Sequence, residues 1–149
     1  MKLSLRTFAS LLGTAVIAFG GLLVTASPAA ADPQPPCYEW GCNGKDPHTL
    51  GCDQSAYTIT SFPINYGSAS VLLRYSTRCH ANWTTISTPG YNIGANAWIE
   101  NTYGDWYSVG AVSYGNAWTA MVNGYPLARS CAVDNVSYTW ANPGCTAWL

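Results

Sequence analysis

The chain is 149 residues long, 48% hydrophobic and 13% aromatic, with only 9% charged side chains and a formal net charge of −1. That length supports one modest core rather than several domains. Six basic residues against seven acidic ones give no cationic excess, which excludes the electrostatic term that nucleic-acid and anionic-membrane binding depend on.

Residues 1–31 read as an export signal. Lys2 and Arg6 form a positive start, Leu11 to Val24 is an apolar run broken by Gly13, Gly20 and Gly21, and Ala29-Ala30-Ala31 offers a small-residue cleavage pattern. The run falls short of the roughly 20 residues a membrane span needs. The expectation is a secreted, extracellular monomer with no membrane insertion. Beyond Ala31 the basic residues are Lys45, Arg74, Arg78 and Arg129, and all seven acidic residues remain.

All six cysteines lie in the exported part. An even count outside a reducing compartment predicts three disulfides. Zinc is the weaker reading, because only Cys37 and Cys42 are close in sequence and His48 and His80 complete no finger spacing. Cys131 is expected to bond Cys145, since Asn142-Pro143-Gly144 turns the chain back between them. Closing a loop of about 15 residues contributes on the order of 3 kcal/mol in the chain-entropy model. Cys79 is expected to reach Cys52 or Cys42, leaving Cys37 for the remaining cysteine.

Residues 32–55 form a Pro-, Gly- and Cys-rich segment expected to pack on a β domain spanning 56–149. Within that domain Tyr57–Thr60, Val71–Tyr75 and Val136–Trp140 alternate apolar and polar residues, the signature of half-buried strands. Four hairpins are predicted: Val71–Tyr75 with Asn82–Ser87, Ala95–Asn101 with Trp106–Val112, Asn116–Val122 with Leu127–Val133, and Val136–Trp140 with Cys145–Leu149. No helical period follows the export signal. The fold class is therefore all-β, hairpin-rich and disulfide-stapled; closure into a barrel or trefoil, or a sandwich, would protect the edges.

Chemistry is sparse. Ser113 sits in Gly110-Ala111-Val112-Ser113-Tyr114-Gly115, one residue too long for a nucleophile elbow, and reads as a turn residue. Phosphate-loop, dinucleotide and H-E-x-x-H patterns are absent, so no cofactor is expected. Glu100 and Asp105 flank one predicted turn and are the candidate pair for a small hydrolase, which needs two carboxyls several ångströms apart. Asn43, Asp46 and Asp53 are candidate calcium ligands, although the spaced oxygen series of a calcium loop is missing. His48 and His80 read as surface or cap residues.

The aromatic supply is the strongest functional hint: seven Trp and ten Tyr. Such rings fill small β cores, and the surplus suits recognition of sugars or protein surfaces. Trp98, Tyr103, Trp106 and Tyr107 are the candidate binding residues. The leading reading is a binding or interaction domain for a glycan or a protein surface. The alternatives are the hydrolase and a structural or inhibitor-like protein.

Two blocks carry a resemblance. Cys37-x₄-Cys42-Asn43-Gly44-Lys45-Asp46-Pro47-x₄-Cys52 and Leu73-Arg74-Tyr75-Ser76-x₂-Cys79-x-Ala81-x-Trp83 are joined by Met121-Val122, Ala128-Arg129-Ser130-Cys131 and Cys145-Thr146-Ala147-Trp148. Together they resemble the YjfA-like family of secreted bacterial proteins, a domain of unknown function. The resemblance implies a β-trefoil-like architecture and an interaction role, and it carries over no catalytic residue. This chain departs from it at Thr84-Thr85, where family members show Ala-Arg, so any role of that arginine does not transfer.

Overall fold

The computed structural model describes residues 34–88, 94–110, 115–134 and 136–149. The expected export signal and Ser113 lie outside them. Among the described residues nine antiparallel strands form two open sheets: β1 (Ala56–Ile64), β2 (Ala69–Ser76), β3 (Ala81–Ser87), β4 (Asn96–Asn101), β5 (Trp106–Val109), β6 (Ala117–Trp118), β7 (Val122–Asn123), β8 (Ala128–Val133) and β9 (Gly144–Cys145). The first sheet runs β1-β2-β3-β6, with β7 also paired to β3; the second runs β5-β4-β8-β9. The described residues contain no α-helix, only three short 3₁₀ turns. Closure, on which a barrel or trefoil depends, is not seen among the described strands.

The sheets face each other because their strands keep period two. Val71 and Leu73 of β2, Ile86 of β3, Ala97 and Ile99 of β4 and Ala128 and Ala132 of β8 are all fully buried. Val71 and Ile86 pack with Ala97 and Ala132, and Leu73 with Ile99 and Ala128, across the gap between the sheets. Polar contacts centred on Thr84 and Ser130 cross the same gap. The Thr84 hydroxyl donates to the Trp98 carbonyl at 2.8 Å and lies 2.6 Å from the Ser130 hydroxyl.

The β2–β3 and β4–β5 hairpins lie where alternation places them. At the β4–β5 turn Asn101 accepts the Tyr103 and Asp105 N–H groups and donates to Asp105. Gly104 supplies the left-handed φ of 93° that this turn requires.

The other two predicted hairpins are corrected. Asn116–Val122 does not pair with Leu127–Val133: β6 and β7 add to β3 in the first sheet, whereas β8 pairs with β4 in the second. The Asn123–Pro126 turn therefore carries the chain between sheets. Val136–Trp140 is not a strand. Asp134 Oδ1 accepts the backbone N–H groups of Val136, Ser137 and Tyr138, curling this stretch around one carboxylate despite its alternation. Cys145–Leu149 instead runs along β8, with Cys131 opposite Cys145, Thr146 bonded to Ser130 and Leu149 bonded both ways to Ala128.

Three disulfides close the structure: Cys37–Cys42, Cys52–Cys79 and Cys131–Cys145. The four N-terminal cysteines form, with Ala81, Trp83 and Met121, a second core beneath residues 37–55. Backbone bonds add to it: Glu39 N–H to Cys79, Gly44 N–H to Met121, and Met121 N–H to Lys45. The irregular segment is thus built onto the first sheet rather than tethered loosely to it.

Candidate functional site

A groove of roughly 260 Å³ lies on the outer face of the first sheet, lined by residues from four parts of the chain. Its floor follows from register. Leu72, Thr85 and Trp118 lie side by side across β2, β3 and β6, Arg74 is opposite Trp83, and Ser70 is opposite Ser87. Period two turns Val71, Leu73 and Ile86 inward, so Leu72, Arg74, Thr85 and Ser87 face out. Asn116, next to β6, completes that side.

The wall is His48 and Asp53, from the disulfide-bound segment. Asp46 shapes it: Oδ1 accepts the N–H groups of His48 and Thr49 at 2.9 and 2.8 Å, and Oδ2 accepts the Trp118 indole N–H at 2.9 Å. Burial raises the Asp46 pKa, but the bonds from Thr49, Trp118 and His48 outweigh it and hold the carboxyl below its ordinary value. One carboxylate thereby fixes both the His48 turn and the Trp118 ring. His48 Nδ1 lies 2.9 Å from Asp53 Oδ2, and its ring centroid is 4.0 Å from that of Trp118. Arg74 is held at one rim by Thr58 Oγ1 and the Ala56 carbonyl.

The groove therefore presents one accessible indole, that of Trp118, with the buried Trp83 beneath it, and two hydroxyls, an amide, a guanidinium and a carboxylate–imidazole pair. A concave site with few, fixed polar groups is the usual form of a small-ligand site. Its volume is below the roughly 300–1,000 Å³ of drug-sized pockets, which suits a small ligand or one unit of a linear one.

The residues singled out from sequence are distributed around the molecule. Glu100 pairs with the Arg129 guanidinium at 2.5 Å, and Arg129 lies 4.4 Å from the centroid of the Trp148 ring. Asp105 Oδ2 accepts the side-chain amides of Asn43 and Asn101 at 3.0 and 2.8 Å. Neither carboxylate lines the groove. Asn43 also accepts the Asn123 N–H at 2.5 Å, so it brackets the N-terminal segment to two turns. The three calcium candidates are thus engaged separately: Asn43 with Asp105 and Asn123, Asp46 with Trp118 and its own turn, and Asp53 with His48.

Trp98 and Trp106 share the outer face of the second sheet. Trp98 stacks on Trp140 with centroids 5.8 Å apart, and Trp106 lies opposite Glu100. Tyr103 stacks on Trp40 at 5.5 Å, and Tyr107 packs toward the inner core with Leu73 and Ile99. The Tyr107 hydroxyl lies 3.1 Å from where a β-carbon on Gly44 would sit, and Gly44 has φ of 72°. A side chain is unwelcome there on both counts.

Sequence reasoning missed His48, Arg74, Trp83, Thr85, Ser87, Asn116 and Trp118 as one constellation. One signal pointed to it: the two motif blocks 37–52 and 73–83 meet at this groove, through the Cys52–Cys79 bond and the Arg74–Trp83 register.

No curated protein and no solved structure matches the chain significantly. Residues 40–133, which include every residue lining the groove, match the family model described as "Protein of unknown function (DUF2690)". That match spans well over half of the 149 residues, and the chain belongs to this family of unknown function.

Proposed function

We propose that this protein is a secreted bacterial binding domain, YjfA-like in kind, that recognises carbohydrate through the groove on its first sheet. The observation that carries the reading is the groove itself, where the half-buried Trp118 indole, over the buried Trp83, sits among Thr85, Ser87, Asn116 and Arg74. Sugar rings have apolar faces that lie on aromatics and hydroxyls that need donors and acceptors, and this surface offers both. The fixed positions of Trp118 and His48, held by Asp46 and Asp53, mean that little freedom is lost on binding. Export is supported by the three disulfides and by the charged start, apolar run and small-residue site of residues 1–31.

The test is an NMR titration against a panel of cell-wall glycans, with Trp118→Ala and Trp118→Phe as comparators. Binding should shift the amide signals of Thr85, Ser87, Asn116 and Trp118. Trp118→Ala should weaken affinity by about tenfold or more, as loss of an aromatic anchor does. Trp118→Phe keeps the ring but loses the donor to Asp46, and should lose less. Shifts confined to Trp98 and Trp106 would move the site to the second sheet; silence across the panel would turn the reading towards a protein partner.

A further inference from the structure

Cys37, Cys42, Cys52 and Cys79 are brought together from two loops, all are buried, and their four Sγ atoms lie within 4.8 Å of one another. The contact between the two bridges is close, with Cys37 Sγ 3.9 Å from Cys52 Sγ. In a tetrahedral tetrathiolate zinc site the metal–sulfur distance is about 2.3 Å, which places the sulfurs about 3.8 Å apart. The cage thus already has nearly that span between Cys37 and Cys52 of the two bridges, and each bonded pair must part to it once its S–S bond is opened. Four sulfurs this close have room for a single ion and not for a multi-iron cluster.

We propose that these four cysteines form a two-state site: a pair of disulfides when oxidised, and a tetrathiolate centre for one Zn²⁺ when reduced. The stoichiometry is simple. Each bridge takes up two electrons and two protons, giving four thiols in all. A dithiol supplies both and is left as a disulfide, whereas a phosphine supplies the electrons and water the protons, the water oxygen leaving as phosphine oxide. Zn²⁺ then displaces four protons, leaving a centre of net charge −2. Four thiolate ligands favour zinc over magnesium or calcium.

The loops are held in place by more than the bridges. Glu39 N–H bonds the Cys79 carbonyl, Cys52 N–H bonds Pro47, and Gly44 and Met121 are bonded as a short ladder with Lys45. Asn43 adds its bracket to Asp105 and Asn123. Opening the disulfides therefore leaves the four thiols facing one another instead of dispersing them. Leu50, Ala81, Trp83 and Met121 cover the cage with apolar surface, which keeps competing water from the metal. Cys131 and Cys145 lie on the other sheet and are not part of it. In either state the site would hold residues 37–55, and with them the His48 and Asp53 wall of the groove.

The experiment uses the purified protein, reduced anaerobically with a phosphine, freed of reductant and titrated with Co²⁺ and then Zn²⁺. One equivalent of Co²⁺ should give the visible and ultraviolet absorption of tetrahedral cobalt–thiolate, and one equivalent of Zn²⁺ should abolish it. Alkylation followed by mass spectrometry should find two reactive thiols, Cys131 and Cys145, and four protected by zinc. Cys131→Ser/Cys145→Ser should leave the cobalt spectrum intact, whereas Cys52→Ser/Cys79→Ser should eliminate it. Equal alkylation of all six thiols with zinc present would overturn the proposal, as would loss of the spectrum in Cys131→Ser/Cys145→Ser. Failure of the reduced, unsubstituted chain to bind either ion would overturn it equally.

Discussion

Asp134 shows how much one side chain decides here. Burial pushes its carboxyl pKa up, but the backbone N–H groups of Tyr138, Asn65, Val136 and Ser137 together outweigh burial and hold it below the ordinary aspartate value. The folded-state pKa is therefore the lower one. Its contribution to stability is fully present above the unfolded value of about 3.9 and is lost as pH falls through the folded value. Thermal melts from pH 7 to 2 should show the wild type losing stability below about pH 4. Asp134→Asn should be less stable by about 2–3 kcal/mol at neutral pH, because an amide turns a donor toward groups that need an acceptor, and its melts should change less over the acid range. The same carboxylate explains a misreading. Val136-Ser137-Tyr138-Thr139-Trp140 alternates like a strand, and only the nearby acceptor for three successive N–H groups converts it to a turn.

Elements were legible from sequence where pairing is local, and obscure where it is not. β2–β3 and β4–β5 are short hairpins with Val71, Leu73, Ala97 and Ile99 at alternate positions, so pattern and contact coincide. β6 and β7 are two residues each and pair with a strand some thirty to forty positions earlier, so no local period marks them. The C-terminal strand is an intermediate case: its edge position is set by two backbone bonds between Leu149 and Ala128 and by the Cys131–Cys145 bridge. Replacing both of these cysteines by Ala should cost on the order of 3 kcal/mol in urea unfolding. Hydrogen exchange should then rise first at Thr146 and Leu149, with the β2–β3 hairpin unaffected.

At the scale of the molecule, two apolar layers are tied by a polar joint. Thr84 reaches from β3 to the Trp98 carbonyl and the Ser130 hydroxyl, and Ser130 lies 3.4 Å from the Leu72 carbonyl. Thr84→Val should cost about 1–2 kcal/mol by leaving the Trp98 carbonyl and Ser130 short of a partner. In a double-mutant cycle with Ser130→Ala the losses should be less than additive, because the second change removes a group the first has orphaned. Chemical denaturation of the four species measures this. The groove is a product of the same scale. His48 and Asp53 come from the cysteine-rich segment, Trp118 from a two-residue strand and Thr85 from a hairpin. Each is unremarkable in its own stretch of sequence, and only the folded register makes them neighbours.

The Asn43 bracket carries a chemical consequence. Asn followed by Gly is the pair most prone to cyclise to succinimide, since the glycine nitrogen is unhindered, and Asn43-Gly44 is such a pair. In the folded chain that nitrogen is occupied by the Met121 carbonyl, and both side-chain ends of Asn43 are engaged. Deamidation is thus held off as long as the segment stays down. Once it lifts, the product places a new anion against Asp105, and the clasp that slowed the damage is then unable to re-form.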